Sequence, residues 1–508
     1  MTARLARPSA LAIASLILAS CGDDVDSPTG PSPGGGPAPL VRIASAPIPS
    51  FTQVSGGTFH SCGVTPEHRI LCWGVGMFGD GKGYQQDPRP PVPSGGAHRY
   101  RQVSSAYWHT CAITTDNRLF CWGRNFYGQI GDGTLNTSRE TPVRIGGSRL
   151  FRQVDAAEQH TCAIDAADGK AYCWGDNSQG ELGDGTRTGR FSPVPVAGNH
   201  RFRQIAVGGS FSCGLTMASK VLCWGSDQHG AIGNGPGVTD RTRPTFTAGN
   251  LSFRQLDARD HVCGVTTANQ AYCWGFNGWG QLGDRTTTNR FAPTRVAGGI
   301  AFERVGLGSI HTCGETTRNR AYCWGGNDFG QLGNGTTTDR RTPGPVKGDI
   351  FFRQLGPGGP HTCGVASNSV AYCWGDNQWG QLGDGTIKNR PSPTPVRQTE
   401  RVTRSSTTLI ESDDPDPSAR GQSFTVQYAV GSDPTVVDGR APTGTVTVRG
   451  GGASCTGGLA VSSVGETTYS RGSCSLTLTS SGTVTLVATY SGDDTFASSQ
   501  DAESHQVQ

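Results

Sequence analysis

A histidine and two cysteines recur along the chain in a spacing that could bind a metal ion. The histidine stands two residues before the first cysteine, as in His60-Ser61-Cys62, and the second cysteine, here Cys72, follows across a short turn. Residues two apart on a strand share one face, so a His/Cys/Cys set could hold zinc. The pattern lacks a fourth ligand, however, and an exported protein oxidises its thiols. We therefore expect disulfides, with no metal and no other cofactor.

The cysteine count suits disulfide pairing. Of 17 cysteines, one stands near the N-terminus and the others form seven repeated pairs and one C-terminal pair. The spacing within a repeated pair changes only in the third, where the turn is longer by one residue, and directly facing strand positions tolerate this. The predicted disulfides are Cys62 with Cys72, Cys111 with Cys121, Cys162 with Cys173, Cys213 with Cys223, Cys263 with Cys273, Cys313 with Cys323, Cys363 with Cys373 and Cys455 with Cys474.

The other recurring polar residues are interpreted as structural. The histidines are expected to form hydrogen bonds between strands; they are His60, His109, His160, His261, His311 and His361. The Asp or Asn of a GDGT segment indicates a turn, with a calcium ligand as the alternative. A recurring arginine is expected to bond to a neighbouring repeat's carbonyl group, with anion binding as the alternative; its positions are Arg89, Arg139, Arg190, Arg241, Arg290, Arg340 and Arg390.

One recurring position varies in the way that is typical of a binding surface. It directly precedes the first glycine of a GQLG loop, and five of its seven residues are large aromatics. The residues are Phe78, Tyr127, Gln179, His229, Trp279, Phe329 and Trp379. Variable aromatic residues on the loops of a rigid scaffold build binding faces, so we predict one here. Packing against the next repeat is the alternative.

The N-terminus predicts export. Arg4 and Arg7 precede a short apolar run that ends in Leu18-Ala19-Ser20-Cys21. This resembles the bacterial lipobox, in which the cysteine is acylated and becomes the mature N-terminus; a plain secretory signal is the alternative. We predict a lipoprotein signal peptide at 1–20 and a flexible Pro/Gly-rich tether at 21–40. The expected location is the bacterial cell envelope, at the outer membrane or cell surface, with membrane contact through the lipid anchor only.

These residues lie in units that repeat about every 50 residues. The tryptophan after the second cysteine marks each unit, from Trp73 to Trp374, and each unit contains four short strand patterns. The chain contains 75 glycines and 30 prolines, which is typical of short strands joined by tight turns. The prediction is an all-β chain with a seven-bladed β-propeller over 41–398, with an open solenoid as the alternative.

The repeat resembles a known family. Its recurring CWGxNxxGQLGDGT, with an upstream HTCGVT, is similar to the repeat of the regulator of chromosome condensation family, and this resemblance implies a seven-bladed propeller. The first repeat departs from it between Gly74 and Asp80, and the fourth has Phe211 in place of the histidine. Residues 402–508 contain the elements PTGTV, at Pro442–Val446, and YSGD, at Tyr490–Asp493. With these elements they resemble bacterial immunoglobulin-like repeats of surface proteins, which implies a β-sandwich.

Function is expected to be binding and not catalysis, so the chain is not predicted to be an enzyme. The sequence lacks the GxSxG, HExxH, phosphate-loop and EF-hand signatures. The net charge of +3 comes from scattered basic residues, which argues against a nucleic-acid partner. We expect a lipid-anchored scaffold that binds a protein or glycan ligand. The alternative is an enzyme inhibitor, because the resemblance includes a secreted propeller that blocks β-lactamases. Guanine-nucleotide exchange, the activity of the family's namesake, is disfavoured by the export signal.

Overall fold

The computed structural model describes residues 48–237, 239–397, 406–432, 441–464, 467–492 and 498–508. The predicted signal peptide, Cys21 and the predicted tether lie outside these residues. The described part of the chain is built from β-strands, with one 3₁₀ turn at Gln228–Gly230. Within it we find no helix with the length and apolar character needed to cross a membrane.

Each repeat forms one antiparallel sheet whose four strands follow chain order, which gives seven such sheets. The first three sheets contain β1 (Gln53–Gly56), β2 (His60–Val64), β3 (Ile70–Gly76), β4 (Gln85–Ser94), β5 (Tyr100–Ser105), β6 (His109–Thr114), β7 (Leu119–Gly123), β8 (Arg139–Ile145), β9 (Phe151–Ala156), β10 (His160–Asp165), β11 (Ala171–Gly175) and β12 (Arg190–Pro195). The fourth and fifth contain β13 (Phe202–Val207), β14 (Phe211–Thr216), β15 (Val221–Gly225), β16 (Arg241–Phe246), β17 (Phe253–Ala258), β18 (His261–Thr266), β19 (Ala271–Gly275) and β20 (Arg290–Arg295). The sixth and seventh contain β21 (Phe302–Leu307), β22 (His311–Thr316), β23 (Ala321–Gly325), β24 (Arg340–Pro345), β25 (Phe352–Pro357), β26 (His361–Ala366), β27 (Ala371–Gly375) and β28 (Arg390–Pro395).

Burial differs between the strands of a sheet in the way the sequence requires. The second strand is covered on both faces, and every residue of β10 is buried. The fourth strand is an edge strand that carries prolines, as in the RFSPVP of β12, and no residue of β12 is buried. Proline lacks the N–H that a central strand needs, so it is tolerated at this edge.

The predicted disulfides of the repeats are confirmed. The two cysteines of each pair face each other directly on the second and third strands, with Cα atoms 4.0–4.1 Å apart in all seven pairs. Each bridge closes a small loop and stabilises the fold by about 2–3 kcal/mol in the chain-entropy model. The bridges join Cys62 to Cys72, Cys111 to Cys121, Cys162 to Cys173, Cys213 to Cys223, Cys263 to Cys273, Cys313 to Cys323 and Cys363 to Cys373.

The tryptophan after the second cysteine packs between neighbouring sheets. Trp174 Nε1 donates a hydrogen bond of 2.9 Å to the carbonyl oxygen of Gln129 in the preceding repeat. Gly131 approaches the same indole so closely that a Cβ there would lie 2.4 Å from Trp174 Nε1, and its φ is +86°. A glycine is therefore required at this point of the GQLG-type loop.

The seventh sheet packs against the first and closes the series into a ring. Ser61 Oγ lies 2.8 Å from His361 Nε2. The Gln354 side chain bonds to both the N–H and the carbonyl oxygen of Val54, each at 2.8 Å. Bonds of the same two kinds join other neighbouring sheets. The arrangement is that of a β-propeller in which each sheet takes all four strands from one repeat.

The recurring histidines form one of these sets of bonds, which we call the histidine belt. Each Nε2 lies 2.6–2.9 Å from a hydroxyl of the next repeat, in the pairs His60–Thr110, His109–Thr161, His160–Ser212, His261–Thr312, His311–Thr362 and His361–Ser61. Burial lowers the pKa of these histidines to about 3 or 4, so the rings are neutral at pH 7. The structural role predicted for them is confirmed.

The described residues between 406 and 508 form two further four-stranded sheets. One has the strand order β29-β30-β34-β33 and contains β29 (Ser406–Asp414), β30 (Ser423–Ser432), β33 (Ala460–Val464) and β34 (Thr467–Thr477). The other has the order β32-β31-β35-β36 and contains β31 (Thr445–Gly450), β32 (Ala453–Gly458), β35 (Gly482–Tyr490) and β36 (Ser499–Val507). The predicted disulfide between Cys455 and Cys474 is also present; it joins β32 to β34 and so links the two sheets.

One buried histidine of this C-terminal region lies in an acidic cluster. His505 Nδ1 is 2.7 Å from Asp413 Oδ2, and Nε2 is 2.8 Å from Ser418 Oγ. The ring also stacks on Phe424 with a centroid distance of 3.8 Å. Both ring nitrogens are engaged in these bonds, so the cluster of Asp413, Asp416 and His505 orders the strands instead of offering a nitrogen to a metal ion.

Candidate functional site

The two ends of the propeller carry different connections. One end holds the loops between the first and second strands and between the third and fourth strands of each sheet, and we call it the loop face. The other end holds the hairpin turns between the second and third strands, and we call it the turn face. The predicted binding position lies between third and fourth strands and therefore belongs to the loop face.

The prediction for Phe78 is wrong, because this residue is fully buried. Gly79 lies against the indole of Trp122 in the following repeat, which is the place that Gly131 takes one repeat later. Phe78 therefore corresponds to Ile130, the buried apolar residue of the loop, and not to the exposed position before it. The first-repeat loop is shorter than its counterparts, and this shifts the alignment.

The other six residues of the predicted position lie on the loop face, one in each remaining repeat. Tyr127, His229 and Trp379 are exposed, and Gln179, Trp279 and Phe329 are half-buried. The His229 ring contacts Phe276 of the following repeat, with a centroid distance of 4.9 Å. Since each repeat contributes one residue, the position is spread around the ring and does not form a single site.

A compact group of aromatic side chains does gather on the loop face of the seventh, first and second repeats. Phe59 stacks on Trp108 with a centroid distance of 4.5 Å and an interplanar angle of 30°. Tyr107 and Trp379 meet Phe59 edge-on, at 5.1 and 5.6 Å. We define the aromatic sector as Phe59, Tyr84, Tyr107, Trp108, Phe126 and Trp379.

A cation lies among these rings. The Arg124 guanidinium carbon is 4.1 Å from the ring centroid of Trp108, 4.9 Å from that of Tyr84 and 5.5 Å from that of Phe126. These distances are in the range of cation–π interactions. Burial raises the pKa of the Tyr84 hydroxyl, and the Arg124 charge opposes this effect.

The aromatic sector combines a half-buried centre with exposed rings at its edge. Phe59, Tyr107 and Trp108 are half-buried, whereas Phe126 is 50% exposed and Trp379 is 41% exposed. Trp, Tyr and Arg are enriched among the residues that carry most of the binding energy at protein interfaces. This arrangement is the candidate functional site.

Residues 18–313 and 146–411 match the family model described as an RCC1-like domain. The chain belongs to this family. The solved structure of Prp20p from Saccharomyces cerevisiae, described with its binding to Gsp1p and histones, matches with a TM-score of 0.58 and 21% identity over 66% of this chain and 87% of that chain. Human WBSCR16 matches with a TM-score of 0.56 and 20% identity over 67% and 94%. At these identities the likeness shows the fold alone.

A curated relative matches part of the chain. The ultraviolet-B receptor UVR8 of Arabidopsis thaliana is 30% identical over 149 residues, which are 28% of this chain and 33% of the receptor. The chain therefore spans about a third of the length of that relative.

Sequence reasoning missed most of the aromatic sector of this RCC1-like domain. Phe59 and Trp108 directly precede belt histidines, at a position where the third and fourth repeats have Gln159 and Ser210. The aromatic residues at this position were visible in the sequence. The contact of Phe59 with Trp379 was not, because it depends on the seventh sheet closing onto the first.

The recurring arginine of the RCC1-like domain pairs with an aspartate of its own repeat. Arg190 lies 2.9 Å from Asp184 Oδ2, and the backbone N–H and hydroxyl of Thr186 donate to Asp184 Oδ1. The Asp is thus part of a turn, as predicted, but the expected bond from the arginine to a neighbouring repeat's carbonyl is wrong in the five repeats where the arginine pairs with an Asp. The fourth and sixth repeats have Asn234 and Asn334 at this position, which carry no charge.

The first strands of the RCC1-like domain line a central cavity of about 520 Å³. In six repeats a glutamine of this strand bonds to the backbone N–H and carbonyl oxygen of one residue in the next first strand, which we call the glutamine belt. The pairs are Gln53–Val103, Gln102–Val154, Gln153–Ile205, Gln204–Leu256, Gln255–Val305 and Gln354–Val54.

Charged residues lie deeper in this cavity, towards the loop face. Asp257 accepts a hydrogen bond from Leu307 N–H at 2.8 Å. Burial raises its pKa to about 7, and the charge of Asp155 adds to the effect. Arg259 crosses from the fifth repeat to the first, where it donates to the carbonyl oxygen of Gly56 at 3.1 Å.

Proposed function

We propose that this protein is a lipid-anchored scaffold of the bacterial cell surface, in which a seven-bladed propeller binds a protein ligand through the aromatic sector. The observation that carries the proposal is that Phe59 contacts both Trp108 and Trp379, with Arg124 against Trp108. Large rings on a rigid scaffold provide contact area at a low cost in side-chain entropy.

The remainder of the loop face favours a ligand of mixed character. Glu158 and Asp176 of the third repeat lie on this face, exposed and half-buried respectively. A ligand with an apolar anchor for the aromatic sector and basic residues near these carboxylates would complement the face. We favour a protein over a glycan on this ground, because one protein surface readily provides both features.

Binding and not catalysis is proposed because the recurrent histidines are unsuited to general-base chemistry. Each belt histidine is buried, bonded through Nε2 to the next repeat and neutral. A general base has to reach a substrate and have a pKa near the working pH.

For residues 406–508 we propose an immunoglobulin-like sandwich that acts as a spacer or a second adhesive module. Lettered in chain order, its two sheets have the orders A-B-E-D and C′-C-F-G, which are those of immunoglobulin-like folds. Its disulfide joins strands C′ and E instead of B and F, which distinguishes it from antibody domains.

Export is supported by the eight disulfides, which persist in oxidising compartments. Cys21 remains the proposed lipidation site and lies outside the described residues. Replacement of Cys21 by serine should move the protein from the membrane fraction to the soluble fraction. Sedimentation of Cys21→Ser with membranes would contradict the anchor.

The binding proposal is tested with the full chain as bait against envelope and secreted protein fractions. A ligand retained by the wild type should be lost with Phe126→Ala/Trp379→Ala and kept by Trp279→Ala, which alters the same loop position outside the sector. Protease treatment of the retained material distinguishes a protein from a glycan. Equal retention by all three proteins would refute the aromatic sector as the site.

A further inference from the structure

Arginine side chains surround the turn-face end of the central cavity. The residue after the first aromatic of the first strand is an arginine in five repeats, and its guanidinium bonds to carbonyl oxygens of the next repeat. These residues are Arg101, Arg152, Arg203, Arg254 and Arg353. The sixth repeat has Glu303 here, which pairs with Arg254 at 2.7 Å, and the first repeat has Thr52.

The sixth repeat also interrupts the glutamine belt. Arg304 stands where the other six repeats have glutamine. The Leu355 N–H, which would otherwise bond to a glutamine, donates instead to Glu315 Oε1. Glu315 faces Arg304 directly on the neighbouring strand, at a position where other repeats have apolar residues such as Val265 and Val365.

This double change has a cost for the fold. Glu315 is 4% exposed, and its second oxygen, Oε2, is buried without a hydrogen-bond partner. Burial raises the pKa of Glu315 to about 7, and the Arg304 charge opposes the shift. A neutral glutamine with an apolar neighbour satisfies the same backbone groups in the other junctions without burying a charge. In exchange, the sixth repeat places an arginine at the turn-face end of the central cavity.

Arg304 lines a basin together with Arg101 and Arg353, two of the arginines at the turn-face end of the central cavity. The basin has a volume of about 640 Å³ and is lined by Thr52, Gln53, Arg101, Gln102, Arg304, Arg353 and Gln354. Arg101 bonds to the side-chain oxygen of Asn117 and to backbone carbonyls, and Arg353 bonds to the Phe51 carbonyl oxygen and the Ser369 hydroxyl. These partners are uncharged, and the residues lining the basin include no carboxylate.

We propose that this basin on the turn face binds a phosphate group. Three arginines line it, one each from the second, sixth and seventh repeats, and so from different sides of the central cavity. A planar carboxylate pairs well with one or two guanidinium groups, whereas the tetrahedral oxygens of a phosphate accept hydrogen bonds from several directions. The amides of Gln53, Gln102 and Gln354 are held in the glutamine belt. Arg101, Arg304 and Arg353 therefore recognise the ligand.

The phosphate can belong to a soluble compound or to a lipid headgroup, and the experiment separates these sources. Full-length Cys21→Ser protein, which has no acyl anchor of its own, is titrated calorimetrically with inorganic phosphate against a chloride control of equal ionic strength. The same protein is mixed with vesicles of phosphatidylglycerol or of phosphatidylcholine and floated. The site variant is Arg304→Gln/Glu315→Val, which restores the residue types of the other repeats. The control is Arg144→Gln, which removes one arginine from the exposed outer strand β8.

Saturable phosphate binding that weakens at least about ten-fold in the site variant, and not in the control, supports a soluble ligand. Flotation with phosphatidylglycerol alone, lost in the site variant only, supports a headgroup. Arg353→Gln provides a second site variant should the first fail to fold, which its unfolding curve reports. Binding in neither arm, or equal binding by site variant and control, would overturn the proposal. The loop-face pull-down tests other residues, so the two results are independent.

Discussion

Two junctions between neighbouring sheets depart from the pattern of the ring, and they do so differently. At the fourth and fifth repeats the histidine belt is interrupted: Phe211 replaces the histidine, and Val262 stands where the hydroxyl partner would be. Both residues belong to one buried apolar cluster. At the sixth and seventh repeats the glutamine belt is interrupted by Arg304 and the buried Glu315.

The difference separates a structural replacement from a functional one. Removal of both polar partners of a buried hydrogen bond costs little, because no unsatisfied group is left. Phe211 and Val262 follow that rule. Arg304 and Glu315 do not follow it. They replace an uncharged glutamine and its apolar neighbour by two ionisable side chains, and Glu315 Oε2 is left without a hydrogen-bond partner. The second junction therefore points to a requirement beyond stability.

The largest expected effect is on the free energy of unfolding. It is tested at the glutamine-belt position, which is Gln255 in the fifth repeat and Arg304 in the sixth. Gln255→Ala removes the bonds to both the N–H and the carbonyl oxygen of Val305 and should lower the free energy of unfolding by about 2–4 kcal/mol. At a pH below the Glu315 pKa of about 7, Arg304→Ala should change it by less than about 1 kcal/mol, because Glu315 is then uncharged and Leu355 N–H bonds to Glu315 instead. Urea unfolding of the two variants measures this. Equal losses of unfolding free energy would show that Arg304 stabilises its junction as Gln255 stabilises the preceding one.

The second prediction concerns pH. Glu315 has a folded-state pKa of about 7 against a usual value of 4.5, and burial is the main cause. The folded state therefore holds this proton more tightly, and the stability that it contributes is full below about pH 4.5 and lost as the pH rises through 7. The wild type should lose about 2–3 kcal/mol more than Glu315→Gln between pH 4.5 and pH 8. Parallel curves for the two proteins over this range would contradict it.

The third prediction concerns the histidine belt. It introduces the apolar pair of the fourth and fifth repeats, Phe211 with Val262, at the His311–Thr362 junction, where the hydrogen bond is present. Thr362→Val should cost about 1–3 kcal/mol, because it leaves the buried His311 Nε2 without its partner. The double change His311→Phe/Thr362→Val should recover a large part of that loss, as Phe211 with Val262 does naturally. A double-mutant cycle by denaturant unfolding measures the coupling. Additive losses would mean that the fourth junction is compensated elsewhere.

The smallest expected effect on stability is at the loop face. Trp379→Ala should lower the free energy of unfolding by about 1 kcal/mol or less, since this side chain is 41% exposed. It should nevertheless weaken ligand binding about ten-fold or more, whereas Trp279→Ala should leave affinity unchanged. Thermal unfolding beside a binding titration of each variant provides the comparison. A large fall in Tm with unaltered affinity would assign Trp379 to packing between sheets.

The disulfides and the histidine hydrogen bonds of the ring could be predicted from residue spacing, because the same bond recurs in successive repeats. Cys162 and Cys173 had to face each other, since the longer turn between them left both strand positions in register. The recurrence of His109 and its counterparts at one strand position indicated a packing role, and the bond to Thr161 bears this out. Period-two alternation and turn length act locally, so the sequence alone determined these features.

Other features depended on which residues the closed ring brings together. Phe59 and Trp379 meet only because the seventh sheet packs against the first. Phe78 was assigned to the wrong register because loop length, and not the order of residue types, decides which aromatic is buried. The role of Arg304 depends on Glu315 and Leu355, which lie on two other strands. Such contacts form between segments distant in sequence, and the tertiary structure decides them because chain spacing does not encode the distances across a ring.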